Sequence, residues 1–266
     1  MYAFDYHRPD TLDGACALLS DGRGRALAGG QTLLGAMKLR LSQTDRLVDL
    51  SALAELRGIE HLGTRLRIGA MMRHAEVAAS PVVHQHFPAL SALAEGIGDV
   101  QVRNMGTLGG SVANNDPSAC YPSALVACAA TVRTTAREIS ADDFFTGFYA
   151  TALEDGELIR QIDFPIPLRA AYVKFRQPAS RFALIGVFVA QTNTEIRVAV
   201  TGGGSGVFRA HAIEQALQAS FTPASARSVC LSPENLASDI HATASYRAHL
   251  ISILAARAVE HIQSSS

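Results

Sequence analysis

Two glycine-rich stretches, far apart in the chain, carry the residue types that bind an anion through the backbone. The first is Gly29-Gly30, followed directly by Gln31 and Thr32. Glycine lets the chain turn sharply and lets a ligand approach where a Cβ would block it. Where a strand passes into a helix, unpaired N–H groups and the positive end of the helix dipole favour a group such as phosphate. An isolated Gly-Gly pair is more often a plain turn, so this stretch alone decides little.

The second stretch, RNMGTLGGSVANNDPSACYP over 103–122, places Gly109 and Gly110 between Thr107 and Ser111. Few structural turns need so many small and hydrogen-bonding residues together. Two loops of this kind, closing from opposite sides, would hold the two phosphates of a dinucleotide without a metal ion or a lysine. Neither stretch is a Rossmann G-x-G-x-x-G fingerprint or a P-loop. We therefore predict a diphosphate site made by two separate loops.

The pattern of apolar residues predicts the helices and strands that must position these stretches. Up to residue 167 it predicts helices over 10–20, 31–41, 74–79, 87–97 and 122–129, strands over 26–28, 46–50 and 157–167, strand-like segments over 131–134 and 138–145, and a hairpin of 56–62 and 65–71 that turns at Gly63-Thr64. Beyond residue 170 it predicts three strands, 170–175, 182–190 and 195–200, and then helices over 211–219 and 244–263. This order indicates an α+β fold.

A strand followed by Pro165 and Pro167 marks a predicted domain boundary. The serines that close the chain predict a frayed end at 264–266. The predicted domains are 1–167, with subdomains of about 1–55 and 56–167, and 168–266, which would carry an antiparallel three-stranded sheet and helices.

Composition and spacing exclude several classes of function. The 23 Lys and Arg balance the 24 Asp and Glu and are scattered, which disfavours a nucleic-acid surface. The four cysteines contain no C-x-x-C pair, and His84-x-His86 lacks a third ligand, so no metal site or iron–sulfur cluster is predicted. Since there is no signal peptide and no apolar run near the ~20 residues of a membrane span, we expect a cytoplasmic protein.

Four groups of residues give the chain a specific resemblance that covers nearly its whole length. They are AGGQTLL with MKLRL and RLVDL, then GTLGGSVANNDP, KFRQPASRFALIG and RVAVTGGGS. In order and spacing they resemble the FAD-binding medium subunit, or domain, of molybdenum hydroxylases such as carbon monoxide dehydrogenase and bacterial xanthine dehydrogenases. The resemblance implies FAD as the cofactor and a two-lobed FAD-binding domain of the vanillyl-alcohol oxidase/PCMH type, followed by a smaller α+β domain.

The same resemblance implies which residues contact FAD. The first diphosphate loop would comprise Ala28, Gly29, Gly30, Gln31 and Thr32, with Leu27, Leu33 and Leu34 beside it. The second would comprise Thr107, Gly109, Gly110 and Ser111. Further contacts are expected at Ile97, Asn115, Asp116, Cys120, Ile159, Lys174 and Phe182. Ile97, Ile159 and Phe182 are equally well interpreted as core residues, and Lys174 as a solvated lysine of an edge strand.

Departures from the family pattern fall in the second and third motifs. Cys120 stands where the family commonly has Asp, so FAD would bind more weakly unless Asn115 and Asp116 compensate. Gln177-Pro178 replaces a frequent Arg-Arg pair, and Arg181 replaces an acidic residue before the aromatic. These changes leave the usual partner contacts and the electron acceptor open.

The leading hypothesis is an FAD-dependent oxidoreductase subunit. It would take electrons from iron–sulfur clusters of a partner and pass them through FAD to NAD, a quinone or dioxygen, with no catalytic side chain of its own. The resemblance implies two partners, an iron–sulfur small subunit and a molybdopterin-binding large subunit. Two alternatives stay open: a stand-alone flavin-dependent oxidoreductase that acts on a small molecule, and a non-catalytic scaffold that has lost the cofactor.

Overall fold

A small parallel sheet opens the chain. Its elements are β1 (Asp5–His7), α1 (Leu12–Leu19), β2 (Gly24–Leu27), α2 (Leu33–Lys38) and β3 (Arg46–Asp49). The strand order is β1–β3–β2, with β3 parallel to both neighbours. Thr11 caps α1 by accepting a hydrogen bond from the Gly14 N–H, and Leu12, Ala15 and Leu19 bury one face of this helix because they recur at helical spacing.

The computed structural model that gives this architecture describes residues 1–264. Of the predicted frayed end, Ser264 is the last residue of a helix, and 265–266 lie outside the described residues. Within the described residues, no helix joins enough length to enough apolar character to cross a bilayer.

An antiparallel five-stranded sheet with helices on its face follows. After two short 3₁₀ helices, Leu50–Ala52 and Ala54–Leu56, the elements are β4 (Ile59–Leu62), β5 (Arg65–Gly69), α3 (His74–Ala79), α4 (Pro81–His86), α5 (Pro88–Glu95), α6 (Val100–Met105), α7 (Leu108–Asn114), α8 (Tyr121–Ala127), β6 (Thr131–Thr134), β7 (Glu138–Ser140), α9 (Ala141–Phe144), β8 (Phe145–Gly147), β9 (Ala150–Thr151) and β10 (Ile159–Pro165). The order is β4–β5–β10–β6–β7, and β8 and β9 form a separate two-stranded sheet.

The predicted hairpin is confirmed, since β4 and β5 pair antiparallel across Gly63-Thr64. The second glycine-rich stretch, however, is not the loop that we predicted. Gly109 and Gly110 lie in the first turn of α7, where Thr107 provides the N-cap. Glycine is a poor helix former, which hid this helix from the sequence pattern.

A second antiparallel sheet forms the C-terminal part. Its elements are β11 (Arg169–Arg176), β12 (Ala183–Gln191), β13 (Ile196–Thr201), β14 (Phe208–Arg209), α10 (His211–Ala219), α11 (Pro223–Arg227) and α12 (Ala244–Ser264). The prediction of three strands was wrong, because β14 adds a fourth at the β13 edge. With only two residues, β14 is too short to show the alternation by which a strand is recognised.

The central strand β12 joins the two halves of the chain. Phe188 and Ala190 point into the core that contains α5 and α8, whereas Val187 and Val189 point into the core under α12. Phe188 meets Phe87 edge-on, with ring centroids 6.2 Å apart. Because both faces of β12 are covered, its sequence is a continuous apolar run rather than an alternating one.

One ion cluster fixes the register of the five-stranded sheet. Asp163, 1% exposed on β10, lies opposite Arg67 on β5 and accepts hydrogen bonds from its Nε at 2.8 Å and its Nη2 at 2.9 Å. Arg133 on β6 donates a third bond at 2.7 Å. Burial raises the pKa of Asp163, but the two guanidinium groups outweigh it and hold the pKa below its ordinary value.

We expect Asp163→Asn to lower the free energy of unfolding by about 2 kcal/mol, because both arginines lose their charged acceptor in a buried setting. Urea unfolding followed by circular dichroism measures the change. Glu260→Gln is the matched control, since Glu260 pairs with Arg227 at the surface and its loss should cost within about 0.5 kcal/mol. Equal losses in the two variants would contradict a structural role for the buried cluster.

Candidate functional site

A cleft with a volume of about 460 Å³ runs between the parallel sheet, the five-stranded sheet and the start of the C-terminal sheet. It brings together every predicted cofactor residue except Leu34 and Asn115. The predicted residues that line it are Leu27, Ala28, Gly29, Gly30, Gln31, Thr32, Leu33, Ile97, Thr107, Gly109, Gly110, Ser111, Asp116, Cys120, Ile159, Lys174 and Phe182.

The first glycine turn presents a run of free backbone donors. From Gly29 to Leu33, no N–H group donates a hydrogen bond to another part of residues 1–264. Gly30 makes this possible with a φ of 69°, a conformation that side chains disfavour. Leu34 does not line the cleft; its Cδ1 lies beneath Gly30, 2.8 Å from where a Cβ would be. Five successive free donors form a cradle for an anion.

The two glycine stretches are in direct backbone contact. A Cβ on Gly29 would lie 2.1 Å from the Met105 carbonyl oxygen and 2.7 Å from Gly106 Cα. A Cβ on Gly110 would lie 3.3 Å from Ala28 Cβ. The segments that are remote in sequence therefore form one continuous wall, and only glycine fits at their closest point.

The second stretch differs from the first because its own N–H groups are already used. Leu108 and Gly109 donate to the carbonyls of Met72 and Ala70 at 2.9 and 2.8 Å, and the Gly110 N–H donates to Thr107 Oγ1 at 3.1 Å. A Cβ on Gly109 would lie 2.5 Å from Ala70 Cβ, so this glycine serves close packing. The Ser111 hydroxyl has no partner among the described residues and faces the cleft.

One end of the cleft, beyond the Gly29-Gly30 turn, is apolar. Leu50, Leu56, Met71 and Leu158 are all buried there, and Arg25 lies at the rim. None of these was predicted, because the four apolar residues resemble ordinary core residues in the sequence and a single arginine carries no spacing signal. The four side chains give this end of the cleft an apolar surface.

Glu157 also lines the cleft and is ionised. Burial raises its pKa, but hydrogen bonds from Thr134, the Glu154 N–H and Arg137 outweigh burial and lower the pKa below its ordinary value. Its carboxylate is therefore committed to the protein rather than to a ligand.

Near the C-terminal sheet, the cleft is lined by Ile97, Cys120, Lys174 and Phe182. Lys174 extends from β11 and donates from Nζ to the Arg181 carbonyl at 3.0 Å and to Cys120 Sγ at 3.4 Å. Phe182 is 48% exposed, so it is a surface aromatic and not a core residue. Cys120 is 5% exposed and begins the turn into α8.

Asn115 and Asp116 follow α7 but have different surroundings. Asn115, with a φ of 43°, turns its amide away from the cleft and donates to the Gly147 and Ala150 carbonyls at 2.9 and 2.8 Å. Asp116 lines the cleft, yet it accepts hydrogen bonds from the Ser118 N–H at 2.9 Å and the Tyr149 hydroxyl at 3.1 Å. Asn115 thus holds the β8–β9 hairpin, and Asp116 holds the turn that leads to Cys120.

His74 is a cleft residue that the sequence analysis missed, since a single histidine carries no spacing signal. It is 4% exposed, its N–H donates to the Gly106 carbonyl at 2.9 Å, and its ring lies 5.4 Å from that of Tyr121. A Cβ on Gly106 would lie 2.6 Å from His74 Nε2. Burial and the Arg103 cation lower the pKa of His74 from 6.5 to about 4, so it supports the wall as a neutral ring.

These features are those expected of a dinucleotide-binding protein, because a glycine-lined backbone wall with free N–H groups adjoins apolar side chains. The cleft offers free amides for a diphosphate, and its side chains include the cations Arg25, Lys174 and Arg181. Its two carboxylates, on Asp116 and Glu157, are bound to protein donors.

Comparison with known proteins makes the assignment specific. Residues 2–167 match the family described as "FAD binding domain in molybdopterin dehydrogenase". The chain belongs to this family. FAD is the family's cofactor, and the prediction of an FAD-dependent oxidoreductase subunit is confirmed.

Relatives match over nearly the whole chain. The nicotine 6-hydroxylase medium subunit of Paenarthrobacter nicotinovorans is 34% identical over 272 residues, 97% of this chain and 96% of its own. The carbon monoxide dehydrogenase medium chain of Hydrogenophaga pseudoflava is 34% identical over 260 residues, 89% of this chain and 90% of its own.

Solved structures share the fold. The structure described as reconstituted CO dehydrogenase from Oligotropha carboxidovorans superposes with a TM-score of 0.89 at 30% identity, covering 100% of this chain and 99% of that one. Quinoline 2-oxidoreductase from Pseudomonas putida 86 gives a TM-score of 0.89 at 28% identity, covering 99% and 98%.

We expect Gly29→Ala to weaken FAD binding by at least about tenfold, because the new methyl group cannot fit against Met105 and must push the two glycine stretches apart. Flavin fluorescence titration of the apoprotein measures the affinity. Gly35→Ala is the control in the adjoining helix, where a Cβ meets nothing within 4 Å. It should keep the affinity and raise stability by about 0.5 to 1 kcal/mol. Equal affinity in both variants would refute the close-contact interpretation.

The pKa of His74 predicts a stability change with pH. The pKa of His74 is lower in the folded chain than in the unfolded chain. Between pH 6.5 and 4 the unfolded chain therefore binds a proton at this residue that the folded chain does not bind. The free energy of unfolding consequently falls as the pH drops through this range. At pH 4 the loss in the free energy of unfolding is about 3 kcal/mol. His74→Gln should flatten that part of the curve in urea unfolding at several pH values, whereas His241→Gln, at an exposed position, should follow the wild type. Parallel curves for wild type and His74→Gln would show that the buried imidazole is not the source.

Proposed function

We propose that this chain carries electrons within a molybdenum hydroxylase-type oxidoreductase. A partner's iron–sulfur clusters would supply the electrons to FAD in the cleft, and NAD, a quinone or dioxygen would receive them. The observation that carries the proposal is the run of five free N–H groups from Gly29 to Leu33, held against the second glycine stretch. A wall of this kind suits a diphosphate.

The residues of this chain would bind and orient the cofactor. The free amides of the first turn and the Ser111 hydroxyl would hold the diphosphate. Leu50, Leu56, Met71 and Leu158 would cover the adenine, and Ile97, Ile159, Cys120, Lys174 and Phe182 would surround the isoalloxazine. FAD itself supplies the capacity to exchange electrons singly and in pairs.

No side chain of the cleft is needed as a general acid, base or nucleophile. His74 is neutral and buried, Glu157 is committed to Thr134 and Arg137, and Asp116 to Tyr149. The contribution of the chain is therefore to position the cofactor, exclude water from its apolar end and leave the other end open toward Phe182.

The partners follow from the kind of subunit that the relatives are. Their names, medium subunit and medium chain, support a place in a larger assembly. We propose an iron–sulfur small subunit and a molybdopterin-binding large subunit as partners. The four cysteines of this chain, at positions 16, 120, 128 and 230, are not spaced to hold a cluster, so the metal centres would belong to those subunits.

The domain division at 167/168 is part of the proposal. It falls between the end of β10 at Pro165 and the start of β11 at Arg169. The two-lobed vanillyl-alcohol oxidase/PCMH arrangement would then set the parallel sheet of 1–55 against the five-stranded sheet of 56–167, with the cleft between them.

A second candidate is a stand-alone flavin-dependent oxidoreductase. It is favoured by the exposed Phe182 and by Arg181, which both line the open end of the cleft. A small organic molecule would then react directly at that end. The intact amide cradle argues against the third alternative, a scaffold that has lost its cofactor.

Purification of the tagged chain from its own host tests the assembly. We expect the tag to recover a complex that contains FAD, iron and molybdenum, measured by absorbance and elemental analysis. The same chain expressed alone in a foreign host should carry FAD without either metal. If the native preparation is the single chain with FAD and oxidises an organic substrate unaided, the second candidate replaces the first.

A further inference from the structure

Within the described residues, the Lys174 ammonium group is bound by a thiol and a carbonyl rather than by a carboxylate. Its Nζ donates to the Cys120 thiol at 3.4 Å and to the Arg181 carbonyl at 3.0 Å. Across residues 1–264, no carboxylate lies within 4.0 Å of it. The side chain is half-buried on β11, so solvent screens its charge only in part.

The surroundings of Lys174 do not supply the missing negative charge. Arg181, the residue whose carbonyl Lys174 binds, is itself a cation. Asp116, the acidic residue closest in sequence to Cys120, is turned toward Tyr149 and the Ser118 N–H. This end of the cleft therefore combines two cations with a cysteine rather than a carboxylate.

From this geometry we infer that the Cys120–Lys174 pair sets the reduction potential of the flavin. The inference depends on the proposed function, which puts the isoalloxazine at this end of the cleft. Reduction adds negative charge to the flavin, and an ammonium group whose charge is not neutralised stabilises the reduced form over the oxidised form. A carboxylate in place of the thiol would form an ion pair with Lys174 and cancel most of that effect.

The position of the thiol makes the inference testable by charge alone. Cys120→Asp adds a negative charge beside Lys174, and Lys174→Met removes the positive charge. Both changes should move the potential in the same direction, toward more negative values. Cys120→Ser and Lys174→Arg keep the charges of the wild type and serve as matched controls.

The experiment uses the full chain with bound FAD, reduced slowly in the presence of a reference dye and followed by absorbance. We expect Cys120→Asp and Lys174→Met each to change the equilibrium constant with the dye at least tenfold against reduction, about 30 mV for a two-electron couple. The two controls should stay within about threefold of the wild type, about 14 mV by the same conversion.

FAD binding by the wild-type chain tests the proposed function, and the potentials of the variants test the role of the Cys120–Lys174 pair. If the wild-type chain binds no FAD, the proposed function fails before any potential is measured. If FAD binds and neither charge-changing variant shifts the potential beyond its control, the Cys120–Lys174 pair does not set it. Should Lys174→Met lose FAD or fail to fold, the comparison of Cys120→Asp with Cys120→Ser decides, because Lys174 is intact in both.

Discussion

The contact between Gly29 and the Met105–Gly106 backbone is the constraint on which the cleft depends. A Cβ on Gly29 would separate the two segments, since it would sit 2.1 Å from the Met105 oxygen. A Cβ on Gly106 would instead press on the ring below, since it would sit 2.6 Å from His74 Nε2. Gly29 thus packs on Gly106, and Gly106 packs on His74, because neither glycine has a Cβ. The ring of His74 in turn contacts the ring of Tyr121. Burial keeps His74 neutral, so this packing introduces no charge of its own.

The sequence predicted which glycines lie together better than it predicted the structure around them. Glycine has no Cβ, and this property is evident from the sequence. It accounts for the free amides at Gly29 and Gly30 and for the close approach of the two stretches. The helical conformation of Gly109 and Gly110 could not be predicted from the sequence. It results from tertiary contacts with Ala70 that override the poor helix propensity of glycine. His74 carried no signal, since only the fold shows that a lone histidine lies beneath Gly106.

The C-terminal sheet contributes to the cleft because β12 is covered on both faces. Phe188 anchors the strand in the core that contains α5 and α8, while Val187 anchors it in the core under α12. The sheet therefore has little freedom to slide. Its neighbour β11 then delivers Lys174 to a fixed place beside Cys120. The strand count was predicted wrongly at β14, on the far edge of this sheet, where the error touches neither Lys174 nor the cleft.

The two glycine stretches differ in whether their backbone N–H groups are hydrogen-bonded within the protein. The amides of Leu108, Gly109 and Gly110 are used within the protein, so this stretch keeps its shape whether or not a ligand is present. Among residues 1–264, the amides from Gly29 to Leu33 have no hydrogen-bond partner, and these residues border the cleft. An anion bound at the first stretch would therefore break no hydrogen bond of residues 1–264, while the second stretch would keep its shape. Because the ordering cost would be met during folding, little of the binding free energy would be lost to rearrangement.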